Sequence, residues 1–354
     1  MKHWHILFII LLLAFIIPVK SVFANEDGMV LIAKGDTQVK LTGTAEWQPL
    51  KSRDKVIPGS EIRSGSDGSI KIMNANGSLL KIGSNKSLTY QPDSAGKPQN
   101  MKVFLNELSG SKNLKQIAAT RGNSPEQALW IKFMTSESIV DDEVESLFQL
   151  TEHFQKDQPG KSAALLWKFQ QNVPDHPGML QMIQASLASW SAKPDWYVVK
   201  KTDNQKAKIS EGSQVRLNDG LQVYYTASQD TYYYMFYTTR PANGVSETYN
   251  LFPESVTEVE KNVLSTEFIS RIKADKQQIL PSEREFYELD ATLGTEHLWG
   301  WSCAGPVTSA ETIQQAINQV EAMISSQGTV STDDIQKIAP PICPSVLALN
   351  LKHL

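Results

Sequence analysis

The fold of this chain is decided by residues 69–82, whose sequence is SIKIMNANGSLLKI. Apolar and polar residues alternate on both sides of the dipeptide Asn76-Gly77. Asn-Gly favours a tight hairpin turn because that turn needs positive φ angles. The two arms can therefore pair with their apolar side chains on one buried face. These apolar side chains are Ile70, Ile72, Leu80 and Ile82.

The same short alternation extends from residue 28 to about residue 110. Turn residues separate the runs, and Asp67-Gly68 predicts a second hairpin turn. Several short strands at even spacing are typical of a small β-sandwich or roll. The predicted strands comprise residues 29–32, 38–41, 69–72, 80–82 and 102–105.

The middle of the chain changes from the strand period to the helical period. The pair Ser124-Pro125 predicts a helix start, with the serine as N-cap and the proline at the first helical position. Asp141 is expected to cap a second helix, while Pro159 and Pro177 are expected to open a third and a fourth. A small helical region follows from these signals.

The strand period returns after the helical region and predicts a second β-sandwich. Beyond it, residues 308–311 have the pattern of a capping box and predict a terminal helix. A short helical turn is expected at residues 333–338 and an edge strand at residues 346–349. The predicted strands of this second sandwich comprise residues 196–199, 214–217, 221–225, 232–237, 285–289 and 297–301.

These patterns together predict an α+β protein with a β-sandwich at each end of a helical segment. The N-terminal sandwich or roll is small, and the C-terminal sandwich carries a terminal helix. The expected units are 1–24 for a signal peptide, 25–112 for the first β-domain, 113–193 for the helical region, 194–307 for the second β-domain and 308–354 for the C-terminal helix and tail.

The first residues have the pattern of an export signal. Lys2 precedes an unbroken apolar run of 12 residues at positions 6–17. A membrane-spanning helix needs about 20 residues, so this run fits a secretory signal better. Cleavage is expected between Ala24 and Asn25, which leaves no stable transmembrane anchor. The alternative is an uncleaved N-terminal anchor.

Export makes the cysteines informative. The chain has two cysteines, Cys303 and Cys343. An even pair in an oxidising compartment predicts a disulfide, and two free thiols are the alternative. Neither cysteine has a second Cys or a His at zinc-ligand spacing.

No motif in the sequence predicts a catalytic, metal or cofactor site. No nucleophile elbow occurs, and the six histidines are scattered. The acidic side chains within residues 141–145 fit the first turn of a helix, where they complement its dipole, and a bound cation is the alternative. The formal charge is −4, from 34 basic and 38 acidic residues, and no basic stripe argues for nucleic acid.

An aromatic run at residues 232–237 raises a question about the surface. Aromatic residues alternate onto both faces of this predicted strand, which favours a central strand buried on both sides. The alternative is an exposed face that stacks on a sugar ring or a partner peptide. The candidate binding face consists of Tyr232, Tyr234, Phe236, Trp299 and Trp301.

Residues 33–90 resemble the FecR-type domain of bacterial envelope proteins. The resemblance rests on Gly35, Trp47, residues 56–65, residues 68–70 and Asn76-Gly77-Ser78. The family pattern has Gly-Asp where this chain has Gly59-Ser60, and commonly has Thr at the position of Ser64.

Residues 211–302 are similar to the domain-of-unknown-function family numbered 4384. The resemblance rests on Glu211-Gly212-Ser213, the aromatic run, residues 250–253 and Gly294-Thr295-Glu296. A longer segment between Pro253 and Ile279 departs from the family pattern. Both resemblances imply an envelope protein of a Gram-negative bacterium with a binding or regulatory role, and neither brings catalytic residues.

The expected function is therefore a non-catalytic interaction or regulatory module, periplasmic or secreted. Its expected partner is an envelope protein or a glycan. Two alternatives stay open: a carbohydrate- or peptidoglycan-binding module that uses exposed aromatic residues, and an enzyme whose site carries no recognised motif.

Overall fold

The computed structural model describes residues 26–92, 101–109, 124–173, 176–203, 205–242, 244–254, 268–289 and 293–354. These residues form seven α-helices and 19 strands, as expected for an α+β protein. The expected signal peptide and its cleavage site at Ala24 and Asn25 lie outside the described residues. Within the described residues, no helix is both long enough and apolar enough to cross a bilayer.

The N-terminal region is a sandwich of two four-stranded antiparallel sheets, as predicted. One sheet has the order β4-β1-β6-β7 and the other has the order β3-β2-β5-β8. Val39 and Ile62 from one sheet meet Val30, Ile70 and Ile72 from the other in a small apolar core. The strands are β1 Gly28–Lys34, β2 Thr37–Lys40, β3 Gln48–Pro49, β4 Lys55–Val56, β5 Glu61–Ser64, β6 Ser69–Met73, β7 Leu79–Ile82 and β8 Ser87–Thr89.

The hairpin at Asn76-Gly77 is confirmed, with a longer turn than expected. Ile70 pairs with Ile82, and Ile72 pairs with Leu80. The Gly77 amide donates to the Asn74 carbonyl at 2.9 Å. Gly77 alone in this turn has a positive φ, 78°. The glycine therefore closes a four-residue turn instead of sitting in a two-residue turn.

The second predicted hairpin, at Asp67-Gly68, is wrong. The turn joins β5 to β6, and these strands belong to different sheets. The Gly68 amide donates to the Gly65 carbonyl at 3.1 Å, and the chain crosses from one sheet to the other. A turn signal marks a change of direction but does not say which strands pair.

Five helices follow the first sandwich. The predicted strand at 102–105 is wrong, because this stretch lies in α1. Phe104, Leu105 and Leu108 are buried, and their spacing matches one face of a helix. The helices are α1 Met101–Ser109, α2 Pro125–Thr135, α3 Val144–Asp157, α4 Pro159–Gln170 and α5 Pro177–Leu187.

The predicted helix starts are partly confirmed. The Ser124 hydroxyl caps α2 by accepting from the Gln127 amide. Asp141 does not cap α3, because a 3-10 turn at Asp141–Glu143 comes first. The Asp141 carboxylate instead pairs with the Arg53 guanidinium at 2.9 Å, which links the helices to the first sandwich.

The C-terminal region is a second sandwich, also as predicted. One sheet has the order β10-β9-β12-β16, with β17 paired to β12. The other has the order β11-β19-β18-β13-β14, with β15 paired to β13. The strands are β9 Asp195–Thr202, β10 Gln205–Ile209, β11 Gln214–Val215, β12 Gly220–Thr226, β13 Thr231–Pro241, β14 Glu247–Phe252, β15 Arg271–Ile272, β16 Gln278–Leu280, β17 Tyr287–Glu288, β18 Gly294–Cys303 and β19 Ser345–His353.

Two helices, α6 Ala310–Gln327 and α7 Thr332–Ile338, lie between β18 and β19. The N-cap of α6 is Ser309, one residue later than the predicted capping box implies. Thr308 instead donates its hydroxyl to the Met134 carbonyl at 3.0 Å. The predicted edge strand lies between β18 and the two-residue β11, so it is an edge over only part of its length.

The predicted disulfide is confirmed. Cys303, at the end of β18, is bonded to Cys343, which follows α7. Both side chains are fully buried. The bond therefore fixes the start of the chain's return from the two terminal helices to β19.

The largest apolar core runs through all three regions of the chain. It joins Leu31 and Met73 of the first sandwich to the helices and to Trp299 and Trp301 of the second. Helix α1 packs on α3 and α5, so it belongs with the helices although its sequence was assigned to the first β-domain. The helical region thus fills the space between the two sandwiches.

Candidate functional site

The predicted aromatic binding face is buried. Tyr232 is 4% exposed, and Tyr234, Phe236, Trp299 and Trp301 are each 0% exposed. All five lie in the core shared with the helices, because β13 and β18 are inner strands with this face turned toward them. The binding-face alternative is therefore wrong for these residues, and the buried central strand is confirmed.

The packing of this aromatic cluster explains its burial. Phe236 stacks on Trp299 with ring centroids 4.4 Å apart, and Trp299 meets Trp301 edge-on at 5.8 Å. The Trp299 indole donates to the Thr238 hydroxyl at 2.9 Å. The Tyr234 hydroxyl accepts from the Val307 amide at 2.7 Å. These two polar contacts are satisfied inside the protein, whereas the buried Trp301 indole nitrogen has no hydrogen-bond partner among the described residues.

A different aromatic site opens between the two sheets of the second sandwich. We call it the inter-sheet pocket. Its volume is about 350 Å³, within the range of small ligand sites. Its walls come from β12, β13, β14, β17 and β18 and are mostly apolar. The main lining side chains are Leu221, Tyr237, Tyr249, Leu251, Tyr287 and Leu298.

Tyrosine hydroxyls, together with Thr239 and Glu288, supply the polar side-chain groups of this pocket. The Tyr287 hydroxyl donates to the Leu251 carbonyl at 3.1 Å and links the two sheets. Burial and the nearby Glu254 carboxylate raise the pKa of the Tyr287 phenol, so it stays protonated at neutral pH. Tyr249 is 50% exposed, and its hydroxyl donates to the Glu247 carboxylate at 2.8 Å. The pocket therefore combines mostly apolar walls with a few polar groups that are held by hydrogen bonds.

A second cavity, the helix–sheet cleft, lies at the start of α4 and has a volume of about 540 Å³. The Lys161 ammonium donates to the Gln127 amide oxygen at 3.0 Å and lies 4.8 Å from the Phe154 ring centroid. Burial, assisted by the Arg271 charge, lowers the pKa of Lys161 to about 8. Arg271 forms an ion pair with Asp230 on the opposite wall.

A buried histidine–carboxylate pair lies in the larger sheet of the second sandwich. The His353 imidazole contacts the Glu296 carboxylate at 2.9 Å, and both side chains are almost fully buried. Over the described ranges, no group of three or more His, Cys, Asp or Glu side chains is arranged to hold a metal ion.

Sequence reasoning missed the lining of both cavities. The inter-sheet pocket draws on five strands from both sheets of the second sandwich, and the local sequence does not show how these sheets pack. The alternation of Tyr249 and Leu251 is the local signal that marks β14. The helix start at Pro159 is correctly predicted, but the partial burial of Lys161 has no local signal.

No protein-family model matches the chain, and searches of curated proteins and of solved structures found no match. The resemblances to the FecR-type domain and to the domain-of-unknown-function family 4384 stay predictions.

Proposed function

We propose that this chain is a non-catalytic, exported envelope protein that binds an apolar group of a protein partner in the inter-sheet pocket. The observation that carries the proposal is the apolar cavity of about 350 Å³ between two otherwise packed sheets. Cavities of this size and lining commonly hold an aromatic or branched aliphatic group. Because the pKa of Tyr287 is raised, its phenol stays protonated and acts as a hydrogen-bond donor, which supports a role in binding over one in proton transfer.

The strand beside the pocket supports a protein as the partner. Among the described residues, β14 is the last strand of its sheet. Its side chains Tyr249 and Leu251 line the pocket. An extended peptide that adds to such an edge can place alternate side chains into an adjacent pocket. Binding would then combine backbone hydrogen bonds with one apolar anchor.

A neutral fluorescent probe, N-phenyl-1-naphthylamine, tests the pocket. We expect saturable binding by the wild-type chain. Leu251→Glu places a charge on the pocket wall and should weaken binding at least about tenfold, because a buried charge is costly. Val245→Glu is the matched control, since Val245 is 83% exposed and does not line the pocket. Unchanged binding by Leu251→Glu would refute the site.

The same variants identify the partner. A protein captured from envelope extract by the wild type and by Val245→Glu, but lost with Leu251→Glu, would be the pocket's ligand. Equal capture by all three variants would place the interaction elsewhere.

Export is proposed from the sequence of residues 1–24. N-terminal sequencing of protein from the periplasmic fraction should begin at Asn25. Recovery of intact Met1 in the membrane fraction would favour an uncleaved anchor.

A second candidate function is an enzyme that uses the helix–sheet cleft. The lowered pKa of Lys161 favours it, since a partly neutral amine can attack a carbonyl group. Incubation with a small keto acid and borohydride, followed by peptide mass spectrometry, should then modify Lys161 selectively. Modification spread over the exposed lysines would count against this candidate.

A further inference from the structure

The outer face of the smaller sheet of the second sandwich carries three lysines and three aromatic rings. Strand register places Lys206 opposite Lys201 and Tyr224 opposite Tyr197. Lys208 lies two residues from Lys206 and therefore on the same face. We call this surface the lysine–aromatic face; it comprises Tyr197, Lys201, Lys206, Lys208, Tyr224 and Phe286.

The rings hold the ammonium groups in place. Tyr197 and Tyr224 stack with centroids 4.8 Å apart and planes 5° apart. The Lys208 ammonium lies 4.5 Å from the Tyr197 ring centroid. The Lys201 and Lys206 ammonium groups lie 4.9 Å and 4.8 Å, respectively, from the Phe286 ring centroid. Such cation–π contacts order flexible lysine side chains before any ligand arrives.

The support beneath the face is rigid. Gln222 is fully buried, and its amide donates to the Ser282 and Glu285 carbonyls at 2.7 Å each. These bonds fix the segment that carries Phe286. The Gln222 oxygen accepts from the Lys206 ammonium at 3.2 Å and from the Tyr224 hydroxyl at 3.1 Å. The lysines and rings are thus joined in one network.

The charge of this face is not neutralised by the protein. Within the part of the chain that the structure describes, none of the three lysines forms an ion pair. The Glu285 carboxylate accepts from the Ser282 hydroxyl instead. Lys206 and Lys208 are exposed, and Lys201 is half-buried. Three ordered positive charges therefore face solvent on a chain whose formal charge is −4.

We propose that the lysine–aromatic face binds an acidic glycan whose sugar rings carry carboxylates. The three ammonium groups complement carboxylates, while the Tyr197 and Tyr224 hydroxyls can bond to sugar hydroxyls. A relatively rigid polymer of rings loses little conformational freedom on a broad sheet face. The face lies on the opposite side of the sheet from the inter-sheet pocket, so this inference is independent of the proposed function.

Two other polyanions fit the face less well. Nucleic-acid sites commonly combine a large basic field with ring faces that are free to stack on bases. Here the rings stack on one another or lie under lysines, and the face has only three cations. An acidic peptide could pair its carboxylates with the three ammonium groups, but it has no sugar hydroxyls to bond to the Tyr197 and Tyr224 hydroxyls.

Calorimetric titration of the full chain with hexagalacturonate tests the proposal. Cellohexaose provides sugar without charge, hexaglutamate provides charge without sugar, and hexathymidylate represents nucleic acid. We expect hexagalacturonate to bind more tightly than all three, with affinity that falls as salt rises. Absence of hexagalacturonate binding, or equal affinity for any comparator, would overturn the proposal.

The Lys201→Gln/Lys206→Gln/Lys208→Gln variant should bind hexagalacturonate roughly tenfold more weakly, because three charge contacts are lost. The matched control is Lys51→Gln/Lys86→Gln/Lys276→Gln, which removes the same charge from exposed lysines elsewhere and should bind normally. Replacing the three face lysines with arginine keeps the charge and should preserve binding even if the glutamine variant folds poorly. Equal weakening in the control, or loss of binding in the arginine variant, would refute the site.

Discussion

His176 shows how a single buried residue can couple this fold to pH. It is fully buried and precedes α5, where that helix meets the first sandwich. Burial lowers the pKa of His176 to about 4, because the opposite effect of Asp27, which raises this pKa, is smaller. In the unfolded chain the histidine pKa is about 6.5. Between about pH 6.5 and pH 4 the unfolded chain therefore binds a proton at this histidine, whereas the folded chain does not. Stability is therefore lost as the pH falls from about 6.5 toward 4.

We expect the free energy of unfolding to fall by about 2 kcal/mol between pH 7 and pH 5 on account of His176. Urea unfolding of wild type and of His176→Gln at both pH values measures this contribution. The variant should lose less stability on acidification, whatever its stability at pH 7. His153→Gln is the control, because His153 is exposed and should leave the wild-type loss intact. Equal losses in wild type and His176→Gln would contradict the assignment.

Lys161 provides a second test at the residue scale. Because burial lowers its pKa to about 8, a large fraction of its amine is neutral at pH 8. In trace acetylation at pH 8, Lys161 should therefore react faster than its solvent exposure alone predicts. Lys156, an exposed lysine that also lines the cleft, is the internal reference. The NMR titration of dimethylated Lys161 should give a midpoint near 8, and a midpoint above 10 would disprove the shift.

At the scale of elements, the hairpin of β6 and β7 is tied to helix α5. A Cβ added to Gly77 would lie 3.2 Å from the Gln181 side-chain oxygen on that helix. At Gly178, in the first turn of the same helix, an added Cβ would lie 2.6 Å from the Asn74 carbonyl oxygen. The turn thus forms part of the contact between the first sandwich and the helices. Its conformation affects more than the local strand pair.

Gly77→Val should lower the free energy of unfolding by about 1 kcal/mol or more, because a β-branched residue resists a positive φ. The close approach of Gln181 adds to this cost. Gly83→Val is the matched control, since φ at Gly83 is not positive and no atom lies within 4 Å of an added Cβ. Urea unfolding of the full chain measures both. Equal effects of the two substitutions would refute the turn assignment.

Elements marked by local signals could be predicted from the sequence, and elements defined by distant partners could not. Ser124 and the alternation around Asn76-Gly77 act within a few residues, so the α2 start and the hairpin were predictable. The apolar residues of α1 fit a short strand or a helix equally well, and packing on α3 decides between them. Strand β10 has the sequence QKAKI, is exposed over most of its length and has only Ala207 and Ile209 on its apolar side, so its pairing with β9 is what defines it.

The candidate sites depend on distant partners even more strongly. The aromatic run at 232–237 was correctly assigned to a central strand, but which aromatic rings stay accessible depends on the register of other strands. Tyr197 and Tyr224 meet because β9 pairs with β12. Phe286, from a later loop, lies against Gly220 and near the Lys201 and Lys206 ammonium groups. No spacing in the sequence brings these residues together.

At the scale of the whole molecule, one core connects regions that the sequence pattern separates. The helices bury Leu31 and Met73 of the first sandwich together with Trp299 of the second. Salt bridges such as Arg53–Asp141 and Lys34–Glu145 lie along the same boundary. A substitution in the core of either sandwich is therefore expected to change the packing of the helices as well. The inter-sheet pocket and the lysine–aromatic face lie in the second sandwich, outside this shared core.

The disulfide stabilises the end of this assembly. It joins Cys303 and Cys343 across a sequence separation of 40 residues, a stretch that contains α6 and α7. Cross-linking a loop of this length stabilises a fold by about 3–4 kcal/mol in the chain-entropy model. The Cys303→Ala/Cys343→Ala variant should therefore melt at a markedly lower temperature. Probe binding in the inter-sheet pocket should persist at low temperature, because neither cysteine lines the pocket. Alkylation of both thiols in unfolded periplasmic protein without reductant, or an unchanged melting temperature, would contradict a stabilising bond.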